Sequence, residues 1–231
     1  MDEKYCSNCG RPVQPPRIDG KYIISEIGSV LSFKKGILYT IRELLFRPGK
    51  SIRAFILEDR YRLVKPVIFI IFCSFLYTIL QQLLGFEDGY INYDSETQST
   101  ALTIFQWIQS NYGYANILMA IFMAGWIKIL FRKYDYNFYE ILILLFYVVG
   151  VSMLIYALFG LLETITGVNP LYFGGGLVGI IYSSWAIGQF FDGRKVFNYV
   201  KAFLSSALGL ISFIVSAVLL GLIIDTVINS I

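Results

Sequence analysis

The chain of 231 residues has no histidine, three cysteines and six prolines, and only 15% of it is charged. Without histidine, a serine–histidine or cysteine–histidine nucleophile is impossible, as is any zinc centre built on imidazole. The cysteines make no disulfide framework: Cys6 and Cys9 sit near the N-terminus, and Cys73 sits within a long apolar run, out of their reach. A soluble domain averages about 25% charged residues, so this chain is too poor in charge to face water on all sides. No GxSxG elbow, GxxxxGK[ST] loop or HExxH motif occurs. The paired buried aspartates of an intramembrane protease are missing too, because Asp135, Asp192 and Asp225 fall at or beyond the ends of apolar runs. The expectation is a non-enzymatic protein with no catalytic and no cofactor-binding residue set.

What the chain does have is apolar length. Hydrophobic residues make up 56%, and five runs approach or exceed the ~17 to 25 residues that cross a bilayer as a helix. They are Pro66–Leu84, Ala115–Phe131, Phe138–Leu162, Leu171–Phe191 and Ala202–Ile224. Aromatic residues gather at their ends, among them Tyr112, Tyr114, Tyr134, Tyr136, Tyr139, Tyr172, Phe190 and Phe191, as expected at a membrane–water boundary. The fold class expected is therefore an all-α integral membrane protein with five transmembrane helices.

The positive charges give that array a direction. Thirteen of the nineteen Lys and Arg residues precede the first run; Lys128, Arg132 and Lys133 surround the second loop, and Arg194, Lys195 and Lys201 surround the fourth. The first and third loops carry none. Basic residues near span ends resist translocation, so the N-terminus is expected in the cytoplasm and the C-terminus, Asp225–Ile231, on the far side. Orientation accounts for the net charge of +3 without a nucleic-acid partner. The start MDEKYCSNCG is too polar for a cleavable signal peptide, so the first span is expected to act as an uncleaved anchor.

Three regions follow: a polar head at 1–20, basic amphipathic helices at 21–65, and the five-span domain at 66–231. Between Lys21 and Phe46 the apolar residues Ile23, Ile27, Val30, Ile37, Ile41, Leu44 and Leu45 recur at helical spacing. Lys34, Lys35 and Arg42 fall on the opposite or flanking face. Such a helix either lies in the headgroup layer or packs on the ends of the spans. Arg47-Pro48-Gly49-Lys50 breaks it, and Ser51 is placed to cap a second helix running to about Arg62. In the acidic loop 85–113, the stretch Ala101–Ile108 is too short to span and reads as a surface helix or a cap over the bundle. Ionisable groups are nearly absent from span interiors; Lys128 is expected to snorkel, and Glu140 to pair with Lys128 or Arg132.

Two patterns mark candidate sites. In Cys6-Ser7-Asn8-Cys9-Gly10, two thiolates at this spacing can hold adjacent corners of a zinc tetrahedron, yet a closed site needs four ligands. Two chains sharing one zinc through Cys6 and Cys9, a relic of a larger ribbon, and a redox pair all remain open. Small residues recur as Gly175, Gly179 and Ser183 in the fourth run, and as Gly209, Ser212 and Ser216 in the fifth. Such stripes let helix backbones approach closely, and they predict tight packing of the fourth and fifth spans on each other. The alternative is a broken helix at Gly174-Gly175-Gly176 lining a cavity with Tyr156, Ser183, Ser184 and Gln189.

The knuckle, the stretch Gly36–Phe46, Arg47–Arg53 and Tyr61–Pro66 together resemble the family filed as domain of unknown function 3667, bacterial multi-pass membrane proteins with an N-terminal zinc-ribbon head. The resemblance covers residues 1–85. It implies a bacterial inner-membrane location, and it makes Tyr5–Gly10 the second of two knuckles. A weaker similarity is to the Yip1-type five-span fold. The function these features imply is a membrane scaffold or adaptor whose head engages anionic lipid of the cytoplasmic leaflet or a cytoplasmic protein. Lys34, Lys35, Arg42, Arg47, Lys50 and Arg53 would make the contact, and a second copy of the chain is a further expected partner. The alternative is a small transporter, channel or lipid-handling protein using the third to fifth spans.

Overall fold

A computed structural model describes residues 36–85, 100–168 and 171–229, with backbone alone for Tyr112, Tyr172 and Asn229. Among these residues the chain is all helix. Its elements are α1 (Ile37–Phe46), α2 (Pro48–Leu57), α3 (Pro66–Leu84), α4 (Thr100–Ser110), α5 (Tyr112–Leu130), α6 (Phe138–Thr166), α7 (Leu171–Asp192) and α8 (Val196–Asn229). The knuckle, Lys34 and Lys35 lie outside the described residues.

Proline and glycine set several boundaries. Pro48 and Pro66 occupy first-turn positions of α2 and α3, where a missing N–H costs nothing. Ser51 is thus inside α2 rather than its cap. Gly85 and Gly167 take left-handed conformations (φ 62° and 67°) that end α3 and α6. The start of α6 is a capping box. The Asn137 side chain accepts from the Glu140 N–H, and the Glu140 carboxylate accepts from the Asn137 N–H. Glu140 is thereby used in its own helix, and Lys128 donates instead to the Tyr136 carbonyl at 2.6 Å. Among the described residues, neither ion pair expected of Glu140, with Lys128 or with Arg132, forms.

Among the described residues four helices are long and apolar enough to cross a membrane: Pro66–Leu84, Gly113–Leu130, Phe138–Thr166 and Val196–Ile228. Glycines, serines and Gln189 dilute the apolar character of α7, which is not among them. In its most apolar stretch α6 is 61% buried and α8 only 17%. Thus α6 is the centre of the bundle, touching α3, α5 and α7, while α8 closes the outside against α5 and α7.

All thirteen described Lys and Arg residues lie where α3, α6 and α8 begin and where α5 and α7 finish, called here the basic end. There Phe131 stacks on Phe191 with centroids 4.0 Å apart, and Tyr134 and Tyr136 pack around them. Lys201 donates to the Leu130 carbonyl at 3.1 Å, putting a cation on the C-terminus of α5. At the opposite end α4 lies across α8. The Asp225 carboxylate accepts from both the backbone N–H and the hydroxyl of Thr100, an anion at a helix N-terminus. This helix begins close to the surface segment expected at 101–108.

Length mismatch creates the shelf on which α1 and α2 sit. Gly150, well inside α6, meets Phe69 and Cys73 in the first two turns of α3. The two helices are therefore offset by about nine residues, or roughly 13 Å at 1.5 Å per residue. The first turns of α6 project past the start of α3, and the α1–α2 hairpin fills the space beside them.

Candidate functional site

The α1–α2 hairpin is built into the bundle core. Ile37, Thr40 and Leu44 form the buried face of α1, while Ile52, Phe55 and Ile56 of α2 join one cluster with Phe69, Tyr147 and Phe190. Phe55 meets the Tyr147 ring edge-on at 5.5 Å. Side chains this buried each contribute roughly 1.5–3 kcal/mol when the alternative is water.

Hydrogen bonds fix the hairpin's position. A helix leaves its first N–H and last C=O groups without internal partners, and away from water each must find one. The Leu44 carbonyl at the end of α1 accepts from Tyr182 Oη of α7 at 3.1 Å. The Gly49 N–H at the start of α2 donates to Gln189 Oε1 of α7 at 2.9 Å. In the linker to α3, Val64 N–H donates to Thr40 Oγ1 at 3.0 Å, and Val64 C=O accepts from Tyr147 Oη at 2.6 Å. Glu43 accepts from Ser51 Oγ at 2.9 Å and from Arg62 at 3.2 Å, joining α1, α2 and the linker. Gly49 is required by space: a Cβ there would stand 2.4 Å from the Gln189 carbonyl carbon and 2.5 Å from the Phe190 nitrogen. Those are backbone atoms of α7 and cannot swing aside.

With the inner face locked, the outer face shows what it offers. Arg42, Arg47 and Lys50 are exposed, and so are Leu38, Leu45 and, at 72%, Phe46. Cations interleaved with large apolar side chains suit a headgroup layer. Hence α1 packs on α2 and α6 with one face and leaves Leu38, Arg42, Leu45 and Phe46 exposed on the other. Arg53 points elsewhere. It donates to the Gly49 carbonyl at 3.2 Å and lines a cleft of about 480 Å³ with Gln189, Asp192, Gly193 and Arg194. Beside it Lys195 contacts Asp192 at 3.0 Å, and that hydrogen bond holds the Lys195 ammonium above its ordinary pKa.

The small-residue stripes meet partners other than those expected. Gly175, Gly179 and Ser183 face α6: a Cβ on Gly175 would strike Phe159, one on Gly179 would strike Tyr156, and Ser183 Oγ lies 3.0 Å from Ser152 Oγ. Gly209 and Ser212 of α8 face α5. A Cβ at Gly209 would come within 2.8 Å of Met123 Cα, and Ser212 Oγ accepts from Trp126 Nε1 at 2.8 Å. Ser216 donates to Phe213 C=O of its own helix. The helices that hold the fourth and fifth expected spans, α7 and α8, do pack on each other as expected, with Gly188 close against Tyr199. Nor is α7 broken, since it runs as one helix through Gly174-Gly175-Gly176.

A cavity of about 630 Å³ lies among α5–α8. Its wall is largely apolar, including Met119, Met123, Leu177, Phe203 and Leu210, with Tyr156, Ser183 and Asn116 among its polar members. Of the residues expected to line such a cavity, Gly176, Tyr156 and Ser183 do, while Ser184 donates to Ile180 C=O and Gln189 serves Gly49. Asn116 was missed. It is an amide at the second position of the apolar run Ala115–Phe131, and it carries no charge or periodicity that would mark it.

Residues 35–78 match the model of a family described as Protein of unknown function (DUF3667), the family the sequence resembles. The matched stretch takes in α1, α2 and most of α3. No curated protein and no solved structure matches the chain.

Proposed function

We propose that this chain is a five-span protein of the bacterial inner membrane, a non-enzymatic scaffold whose docked α1–α2 hairpin grips anionic lipid at the cytoplasmic surface. Four crossings follow from length and composition, and α7 supplies the fifth. Since α6 and α8 both begin at the basic end, the chain must return between them, and α7 at 22 residues is about 33 Å long. The gathering of Lys and Arg at one end supports a cytoplasmic basic end and N-terminus, with the C-terminus across the membrane.

The observation that carries the scaffold reading is the division of labour within the hairpin. One face is held by hydrogen bonds to α6 and α7, and the other exposes Arg42, Arg47 and Lys50 beside Leu38, Leu45 and Phe46. Basic residues at an anionic leaflet each contribute about 1 kcal/mol, so a rigid group of three favours anionic over zwitterionic lipid. Lys34 and Lys35 would add to the basic residues that engage anionic lipid or a cytoplasmic partner, and Cys6 and Cys9 would be the ligands of a zinc shared between two copies.

The test uses the full-length protein in vesicles containing spin-labelled phosphatidylglycerol or phosphatidylcholine. The motionally restricted fraction should favour phosphatidylglycerol, fall toward parity in high salt, and fall similarly in an R42Q/R47Q/K50Q variant. Equal restriction of both lipids at low salt would reject the reading.

A further inference from the structure

We propose that the cleft between α2 and the α7–α8 turn binds a phosphate group, held by Arg53, Arg194 and the Gln189 amide. The cleft shares no residue with the exposed group Arg42, Arg47 and Lys50, so this goes beyond the gripping of a lipid surface by the hairpin.

The cleft of about 480 Å³ is lined by Arg53, Gln189, Asp192, Gly193 and Arg194, brought together at the basic end by α2, the end of α7 and the turn after it. Arg53 is half-buried, and its Nε donates to the Gly49 carbonyl at 3.2 Å. That bond restrains the guanidinium and leaves its terminal nitrogens without an acceptor among the described residues. Gln189 Oε1 is committed to the Gly49 N–H at 2.9 Å, so the half of the amide still to be satisfied is Nε2, a donor only. Arg194 is exposed and makes no ion pair among the described residues.

Acceptors around the cleft are already engaged. Asp192 Oδ2 lies 3.0 Å from Lys195 Nζ, and Oδ1 accepts from the Arg194 N–H at 3.1 Å. The Asp192 carbonyl accepts from Asn198 Nδ2 at 3.0 Å, and the Gly193 carbonyl from Tyr199 Oη at 3.0 Å. Because Lys195 matches the Asp192 charge, the charges of Arg53 and Arg194 are left uncompensated. A site that offers donors suits a group made of acceptors. A phosphate monoester carries a charge of about −1.5 to −2 at pH 7 on three strong acceptor oxygens, and guanidinium forks fit it in both geometry and charge. A carboxylate brings one negative charge, which would leave one guanidinium unmatched. The exposed Gly193 and Arg194 open the cleft at the helix ends, where a phospholipid headgroup or a soluble phosphate can reach it.

The experiment labels arginines of the full-length protein with phenylglyoxal in a phosphate-free maltoside detergent, and peptide mass spectrometry gives the rate at each position. Inorganic phosphate is added in one arm, against potassium chloride of equal ionic strength. Dioleoyl-phosphatidic acid is added in the other, against dioleoylglycerol. Labelling of Arg53 and Arg194 should slow together and saturably, while Arg42 and Arg47 keep their rates. Protection by phosphatidic acid identifies a lipid headgroup as the source, and protection by inorganic phosphate alone identifies a soluble phosphate. R194Q changes an exposed side chain and is expected to fold; it should raise the concentration that half-protects Arg53 about tenfold. The R42Q/R47Q/K50Q variant should keep the protection, which separates this site from the outer face of the hairpin. An Arg53 that resists labelling without phosphate, equal protection by chloride, protection in neither arm, an effect spread equally over Arg42 and Arg47, or Arg53 protection unchanged in R194Q or lost in R42Q/R47Q/K50Q would each overturn the proposal.

Discussion

Replacing Gly49 with alanine probes the docking of the hairpin at its tightest point. The added methyl would lie 2.4–2.6 Å from three backbone atoms of Gln189 and Phe190, too close for any real carbon contact. Overpacking costs about 1–3 kcal/mol, toward the upper end where the obstacle is backbone. Separation of α2 from α7 would also lengthen the Gly49–Gln189 hydrogen bond, a loss near 1 kcal/mol. Against this, alanine gains at most about 1 kcal/mol of helix propensity. The net is about 2 kcal/mol in favour of the undocked hairpin, which raises its population about 30-fold. Trypsin reports this directly, because Lys50 and Arg53 lie within α2 and are cut only when it opens. Cleavage at these two sites should accelerate by tens-fold in G49A. A control in the same bundle is G176A, whose methyl would meet nothing within 4 Å, and which should be neutral or slightly stabilising. If G49A is cut at the wild-type rate and melts with it, the close approach of α2 to α7 is wrong.

Other perturbations read separate parts of the architecture. Y182F leaves the Leu44 carbonyl unpaired and Y147F leaves the Val64 carbonyl unpaired; each should lower stability by about 1–3 kcal/mol in detergent melts. G209A drives a methyl into the backbone of α5 at Met123 and should destabilise by about 1–2 kcal/mol, whereas G125A, with open space around it, should not. D225A removes the acceptor at the N-terminus of α4 and should speed hydrogen exchange across residues 100–110 several-fold, with D225N intermediate because it keeps an oxygen.

Hydropathy and helix-boundary signals made much of this legible in advance. Pro66–Leu84 was readable to the residue, since Pro66 opens the helix and Gly85 closes it. The last helix, Val196–Asn229, is longer at both ends than its apolar run Ala202–Ile224. Hydropathy marks what suits lipid, while a helix continues until something stops it. Nothing stops this one at Lys201 or Asn198, whose side chains bond to Leu130 C=O and to Tyr134 Oη. The stripe Gly175–Gly179–Ser183 was visible as a face, but spacing along one helix carries no information about which neighbour will fill it. Partners of Leu44, Gly49 and Val64 were invisible for a related reason. Each is a backbone group satisfied by Tyr182, Gln189, Thr40 or Tyr147 from a distant helix, and a lone hydroxyl or amide in an apolar run has no periodicity.

The most direct measurement is sidedness at three positions on a background with Cys6, Cys9 and Cys73 replaced. Single cysteines at Lys50, Val168 and Arg194 report the hairpin, the α6–α7 connection and the α7–α8 connection. Right-side-out vesicles are treated with a membrane-impermeant maleimide before and after permeabilisation. The account expects Val168→Cys to label at once, and Lys50→Cys and Arg194→Cys to label only when the membrane is opened. Labelling of Val168→Cys and Arg194→Cys from the same side would mean that α7 does not cross, and the five-span architecture with its basic cytoplasmic end would be contradicted.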